Sequence, residues 1–260
     1  MAVTHFIQQI WSKKIQDDLE LECKLVDNCL RDYEGDCKYA QSVKILGVGE
    51  PTVGAYTGAD ITIEDMSDKS QILTIDQANY FAFYVDDVDQ AQSVPGLKEK
   101  YQEKAVHALA VKRDEYVAGL IATASNKTTV TAMSEEGLKT AIDEAIVALR
   151  TRNFNEPGVI EITPAAYNLF KNQLITLSTN NPELIRKGVV GVYDGFDVVM
   201  SNALTTPGCV RGKKAIAFAG QINEVEALRA EKRFCDIVRG LDTFGAKVID
   251  EARIQVLKGA

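Results

Sequence analysis

Side chains able to do chemistry are few in this chain of 260 residues, and their spacing matches none of the arrangements that chemistry requires. The five cysteines are Cys23, Cys29, Cys37, Cys209 and Cys235, and the two histidines are His5 and His107. A structural zinc site takes its ligands in close pairs. The first three cysteines are instead separated by five and seven residues, with neither histidine near them. An odd number of thiols in a chain large enough to fold without crosslinks reads as reduced cysteine. Asp86, Asp87 and Asp89 lack the glycine and the distant glutamate of a calcium loop, so they read as an acidic turn. The run Gly47 to Gly58 contains neither Gly-x-Gly-x-x-Gly nor the closing Gly-Lys-Ser/Thr of a phosphate loop, and nucleotide binding is not expected. There is no Gly-x-Ser-x-Gly elbow, and two histidines leave a nucleophile–base pair few possible members. Cys209, in Pro207-Gly208-Cys209-Val210, reads as loop packing. No catalytic, cofactor-binding or metal-ligating residue is expected, and the chain does not read as an enzyme.

Charge excludes a further class. Twenty-nine Lys and Arg against 37 Asp and Glu give a net charge of −8, the wrong sign for a protein whose task is to neutralise phosphates. The hydrophobic fraction of 46% is ample for a buried core, and no apolar run approaches the roughly 18 residues that span a bilayer. The start, Met1-Ala2-Val3-Thr4-His5, lacks the basic end and apolar centre of a secretory signal.

Residues 4–36 carry apolar side chains at helical intervals among many charges and read as an arm of short helices closing in the turn Tyr33-Glu34-Gly35-Asp36. Docking of that arm on its own domain and on a neighbour are both open. Ser42 to Val48 reads as a strand. A glycine-punctuated polar run to Asp68 follows, and Gln71 to Val85 reads as a second strand making a ribbon with the first. On that second strand Phe81, Phe83 and Val85 share one face while Tyr80, Ala82 and Tyr84 share the other. A two-stranded ribbon is marginal alone in water, so both faces call for cover. From Gly96 to about Ala124 only Gly119 interrupts a long helix of roughly 43 Å. Its spacing places Tyr101, Ala105, Leu109, Tyr116 and Leu120 on one side, with Lys100, Lys104, His107 and Asp114 opposite. Ser134 caps a second helix whose Leu138, Ala141, Ile142, Ala145, Ile146 and Leu149 point inward. A strand at Gly158 to Ile162, a short helix opened by Thr163-Pro164, strands near 191–200 and 214–219, and alternating stretches at 243–249 and again at 254–257 complete an α+β chain.

The order of these parts, together with KSQILTIDQ (69–77), YFAFYVDD (80–87), GVYDGFDVVMSN (191–202) and FCDIVRGLDTFGAKV (234–248), resembles the major capsid proteins of tailed bacteriophages, the Hong Kong ninety-seven type fold. The resemblance implies an N-arm over 1–41 and an extended loop (E-loop) over 42–86. It also implies a peripheral domain over 87–133 and 234–260 and an axial domain over 134–233. It further implies self-assembly as pentamers and hexamers into an icosahedral shell around double-stranded DNA, inside the host bacterial cytoplasm. The partners implied are further copies of the chain, a scaffolding protein, a portal and a decoration protein; no cofactor is implied. Because the sequence opens directly on the arm, a separate scaffold or a processed form is expected.

Two other readings are weighed beside it: an encapsulin shell enclosing enzyme cargo, and a small α+β enzyme using Asp86, Asp87 or Cys209. The expected subunit interface consists of Tyr80, Phe81, Phe83 and Tyr84, with Glu64 or Asp65 of the acidic loop meeting Lys100 or Lys104 of a neighbour. Phe83→Asp is expected to leave a folded subunit that cannot assemble.

Overall fold

The computed structural model describes residues 23–34, 42–48, 68–86, 97–176, 191–229 and 235–259. The first described strands, β1 (Ser42–Val48) and β2 (Asp68–Thr74), pair antiparallel from Ser42 opposite Thr74 to Val48 opposite Asp68. A two-stranded ribbon cannot bury enough to stand alone. Its Ile45 and Leu73, with Ile75, are accordingly buried against Ala217 and Ala219 of the strand β9 (Ile216–Arg229).

The stretch read as one strand from Gln71 to Val85 is two. β2 ends at Thr74, and β3 (Gln77–Asp86) leaves the ribbon to pair with β10 (Cys235–Val248). The three strands β3-β10-β9 form a separate antiparallel sheet. A local reason lies at the corner: Gly245 of β10 abuts the Thr74 carbonyl so closely that any Cβ would collide with it. The corner holds Ile75 buried, and the chain turns there from one sheet to the other.

The long helix α1 spans Leu97–Thr123, as its spacing predicts. Its buried stripe is rotated from the expected one. Val106, Leu109, Ala110, Arg113, Asp114, Val117, Ala118 and Ile121 face the core, while Tyr101 is exposed. The i, i+3, i+4 series runs unbroken only if Arg113 and Asp114 belong to it.

A six-stranded mixed sheet in the order β4-β11-β8-β5-β7-β6 builds the other half. Its strands are β4 (Lys127–Val130), β5 (Gly158–Ile162), β6 (Val192–Tyr193), β7 (Phe196–Met200), β8 (Gly208–Gly212) and β11 (Ile254–Gly259). Helices α2 (Glu135–Thr151) and α3 (Pro164–Thr176) cover it. Ser134 Oγ accepts the Gly137 N–H at 3.1 Å as the N-cap of α2, and all six apolar residues expected to point inward are buried. Asp194 and Gly195, both at positive φ, close the β6–β7 hairpin in the two-residue turn that matches strand twist. Cys209 lies in the central strand β8 and not in a loop: alternating buried positions were hidden because every residue of β8 is buried.

Candidate assembly surface

Charged side chains inside the core position the start of the described chain. Asp114 of α1, expected on the polar side, is buried and accepts the backbone N–H groups of Lys24, Leu25 and Val26 at 3.0, 3.1 and 3.3 Å. Burial pushes its carboxyl above the ordinary value, and the three N–H donors partly offset that rise. Its neighbour Arg113 donates to both carboxylate oxygens of Asp242 at 2.9 and 2.5 Å, with the guanidinium over the rings of Phe218 and Phe244.

Arg211 of β8 donates to Glu161 of β5 at 2.6 and 2.9 Å, and neither side chain is exposed. Its remaining N–H groups reach the carbonyls of Asn28 at 2.8 Å and Leu25 at 3.0 Å. Segment 23–30 is therefore held from two sides, by its N–H groups on α1 and by its carbonyls on the six-stranded sheet. Leu30 continues the attachment by bridging to Ala217. The described part of the N-terminal region thus docks on its own chain; residues 1–22 and 35–41 of the expected N-arm lie outside the described residues. Burial raises the thiols of Cys23 and Cys29 to about 12 and about 11, which leaves them protonated and inert.

Tertiary pairing divides the aromatic residues of β3 between two environments. Phe81 and Phe83 are half-buried, their ring centroids 6.1 Å apart, and Phe83 lies 5.8 Å from Tyr101 of α1. Phe81 stands opposite Gly240, whose missing side chain leaves room for the ring. Tyr80 and Tyr84 face solvent at 80% and 67% exposure. The β10 residues across from them are Leu241 and Ile237, and Ile237 is followed on β9 by Leu228. Leu241 and Leu228 are exposed, so the outer sheet face carries an apolar patch with the exposed Arg239 in its middle.

Of the other expected interface residues, Glu64 and Asp65 lie outside the described residues. Lys100 lies in α1, its side chain outside what is described, and Lys104 is exposed on the same helix. The structure brings Tyr80 and Tyr84 together and separates them from Phe81 and Phe83. Sequence reasoning missed Leu241, Ile237 and Leu228, whose alternation becomes visible only once β10 is known to pair with β3. Two surface hollows, of about 300 Å³ beside Ser134 and Thr140 and about 150 Å³ beside Arg150 and Phe196, are shallow. Among the described residues no group of three possible metal ligands occurs, and no helix is long and apolar enough to cross a membrane.

No protein-family model and no curated protein sequence matches the chain. Solved structures do. A structure of Mycobacterium phage Che8 matches with a TM-score of 0.77 and 25% identity, over 90% of each chain. The capsid structure of the cyanophage P-SCSP1u matches with a TM-score of 0.74 and 18% identity, over 89% of this chain and 86% of that one. A virus-like particle from Pyrococcus furiosus matches with a TM-score of 0.61 and 13% identity, over 97% and 99%. By fold the chain is similar to phage capsid proteins. More narrowly, it resembles the major capsid proteins of tailed bacteriophages over about nine-tenths of its length.

Proposed function

We propose that the chain is a major capsid protein which self-assembles as pentamers and hexamers into an icosahedral shell enclosing phage double-stranded DNA. The observation that carries this reading is the match over about nine-tenths of the chain to phage structures, a capsid among them. The acidic balance supports it, because a shell interior that gripped phosphates would impede packing of the genome.

Within the Hong Kong ninety-seven type layout, the N-arm is assigned to 1–41, the extended loop to 42–86, the peripheral domain to 87–133 and 234–260, and the axial domain to 134–233. The β1–β2 ribbon is the base of the extended loop. Tyr80 and Tyr84 make subunit contacts directly, Phe81 and Phe83 support them from beneath, and Glu64 or Asp65 meets Lys100 or Lys104 of a neighbour. A scaffolding protein, a portal and a decoration protein are the further partners, and assembly takes place in the host cytoplasm.

The Pyrococcus particle favours a second reading, an encapsulin-type shell around protein cargo. Negative-stain microscopy of the full chain expressed with and without its scaffold tests the proposal. Closed icosahedral particles of phage-capsid size are expected, and nuclease-protected DNA in particles from infected cells separates the phage reading from the encapsulin one. A chain that remains a monomer under all these conditions overturns both.

A further inference from the structure

The outer edge of β3 has none of the features by which proteins keep a strand edge from pairing. Such edges are normally blunted by lysine, proline, a bulge or a short strand. β3 is ten residues long, QANYFAFYVD, without lysine, proline or glycine. Its register with β10 is unbroken from Gln77 to Asp86. It stands at the end of the order β3-β10-β9, so no described strand occupies its other side. Its solvent face carries Tyr80 and Tyr84, continued across the sheet by Leu241, Ile237 and Leu228.

We propose that an extended segment of a second copy of this chain adds to the open edge of β3 as a further strand and covers Tyr80 and Tyr84. The inference rests on the shell reading and names the surface that links its subunits.

Area and charge point to a second copy. At roughly 200 Å² for a fully exposed large side chain, the exposed fractions of Tyr80, Tyr84, Leu241 and Leu228 amount to about 450 Å². That is the size of a functional patch on a monomer, and about half the roughly 800 Å² each partner gives to a stable interface. The patch alone is too small for a tight dimer. Main-chain hydrogen bonds along the edge add affinity, as in other strand additions, and a contact of that strength becomes durable when a closed assembly repeats it. Arg239 is the charged side chain described on this surface, and its positive sign suits a copy of an acidic chain. A polyanion such as DNA would find no basic surface to hold it.

The test uses the full chain, concentrated until the wild type sediments as particles. Tyr80→Lys with Tyr84→Lys places charges on the edge without touching the core. The expected variant keeps the wild-type circular dichroism and thermal midpoint but needs at least tenfold higher concentration to assemble. A photo-reactive benzoyl-phenylalanine at Tyr84, in particles grown from mixed heavy-isotope and ordinary chains, should yield cross-linked peptides that combine both isotopes. Normal assembly of the double variant, or cross-links only within one copy, overturns the inference and leaves the shell reading standing. Failure of the wild type to assemble at any concentration, with and without its scaffold, removes the shell reading itself, and the inference with it.

Discussion

Arg211 of β8 grips Glu161 of β5 through two hydrogen bonds and, with the rest of the same guanidinium, holds the carbonyls of Leu25 and Asn28. One fully buried cation thereby joins the sheet to the N-terminal segment. Its side chain supplies five N–H donors in a fixed fork, which lysine cannot imitate.

Arg211→Met leaves Glu161 buried without its counter-charge and two carbonyls without donors. We expect a loss of about 3–5 kcal/mol in chemical denaturation, the range for breaking a buried pair from one side. Arg211→Met with Glu161→Met should recover part of that loss. Hydrogen exchange should nevertheless stay fast at residues 24–30, because the carbonyls of Leu25 and Asn28 still lack their partner. Full protection of that segment in the double variant contradicts the assignment.

Asp114 sets a pH dependence of unusual sign. Burial raises its carboxyl in the folded chain above the unfolded value of about 3.9. The folded chain therefore takes up a proton at a pH where the unfolded chain is still ionised. Stability from this group rises as pH falls from the raised value towards about 3.9, the reverse of an ion-paired carboxylate. Denaturant midpoints measured across that window should show the wild type gaining on Asp114→Asn with acidification. A wild type that instead loses ground to the variant would refute it.

Phe83 and Tyr84 are adjacent in sequence and opposite in consequence. Phe83 is half-buried against Tyr101, so Phe83→Asp should cost the monomer about 2 kcal/mol or more, in addition to the loss of assembly expected from sequence. Tyr84→Asp should change stability by no more than about 0.5 kcal/mol. Thermal unfolding of the two single variants side by side decides it; equal midpoints would mean that β3 does not face the way described.

Opposite charges on the acidic loop and α1 give an independent check on subunit contact. Glu64→Lys with Asp65→Lys should impair assembly, and Lys100→Glu with Lys104→Glu in the same chain should restore it. A single exposed ion pair contributes only about 0–1 kcal/mol, so the effect should show in the rate and salt dependence of assembly, measured by light scattering. No rescue by the compensating pair removes this contact.

Local order was legible in the sequence wherever one residue and its near neighbours sufficed. The cap at Ser134, the inward stripe of α2 and the extent of α1 follow from hydrogen-bond geometry and periodicity within a few residues. Which elements meet could not be read in that way. The corner at Ile75 depends on Gly245, far along the chain, and the outward turn of Tyr80 and Tyr84 depends on β10 pairing with β3. Arg113 and Asp114 look like solvent-facing residues because charge normally marks an exposed side. They are buried because Asp242 and the N–H groups of Lys24, Leu25 and Val26 satisfy them, and those partners lie about 90 to 130 residues away. A buried charge is tolerated only where folding delivers its counter-group, so its place could be decided only by the tertiary structure.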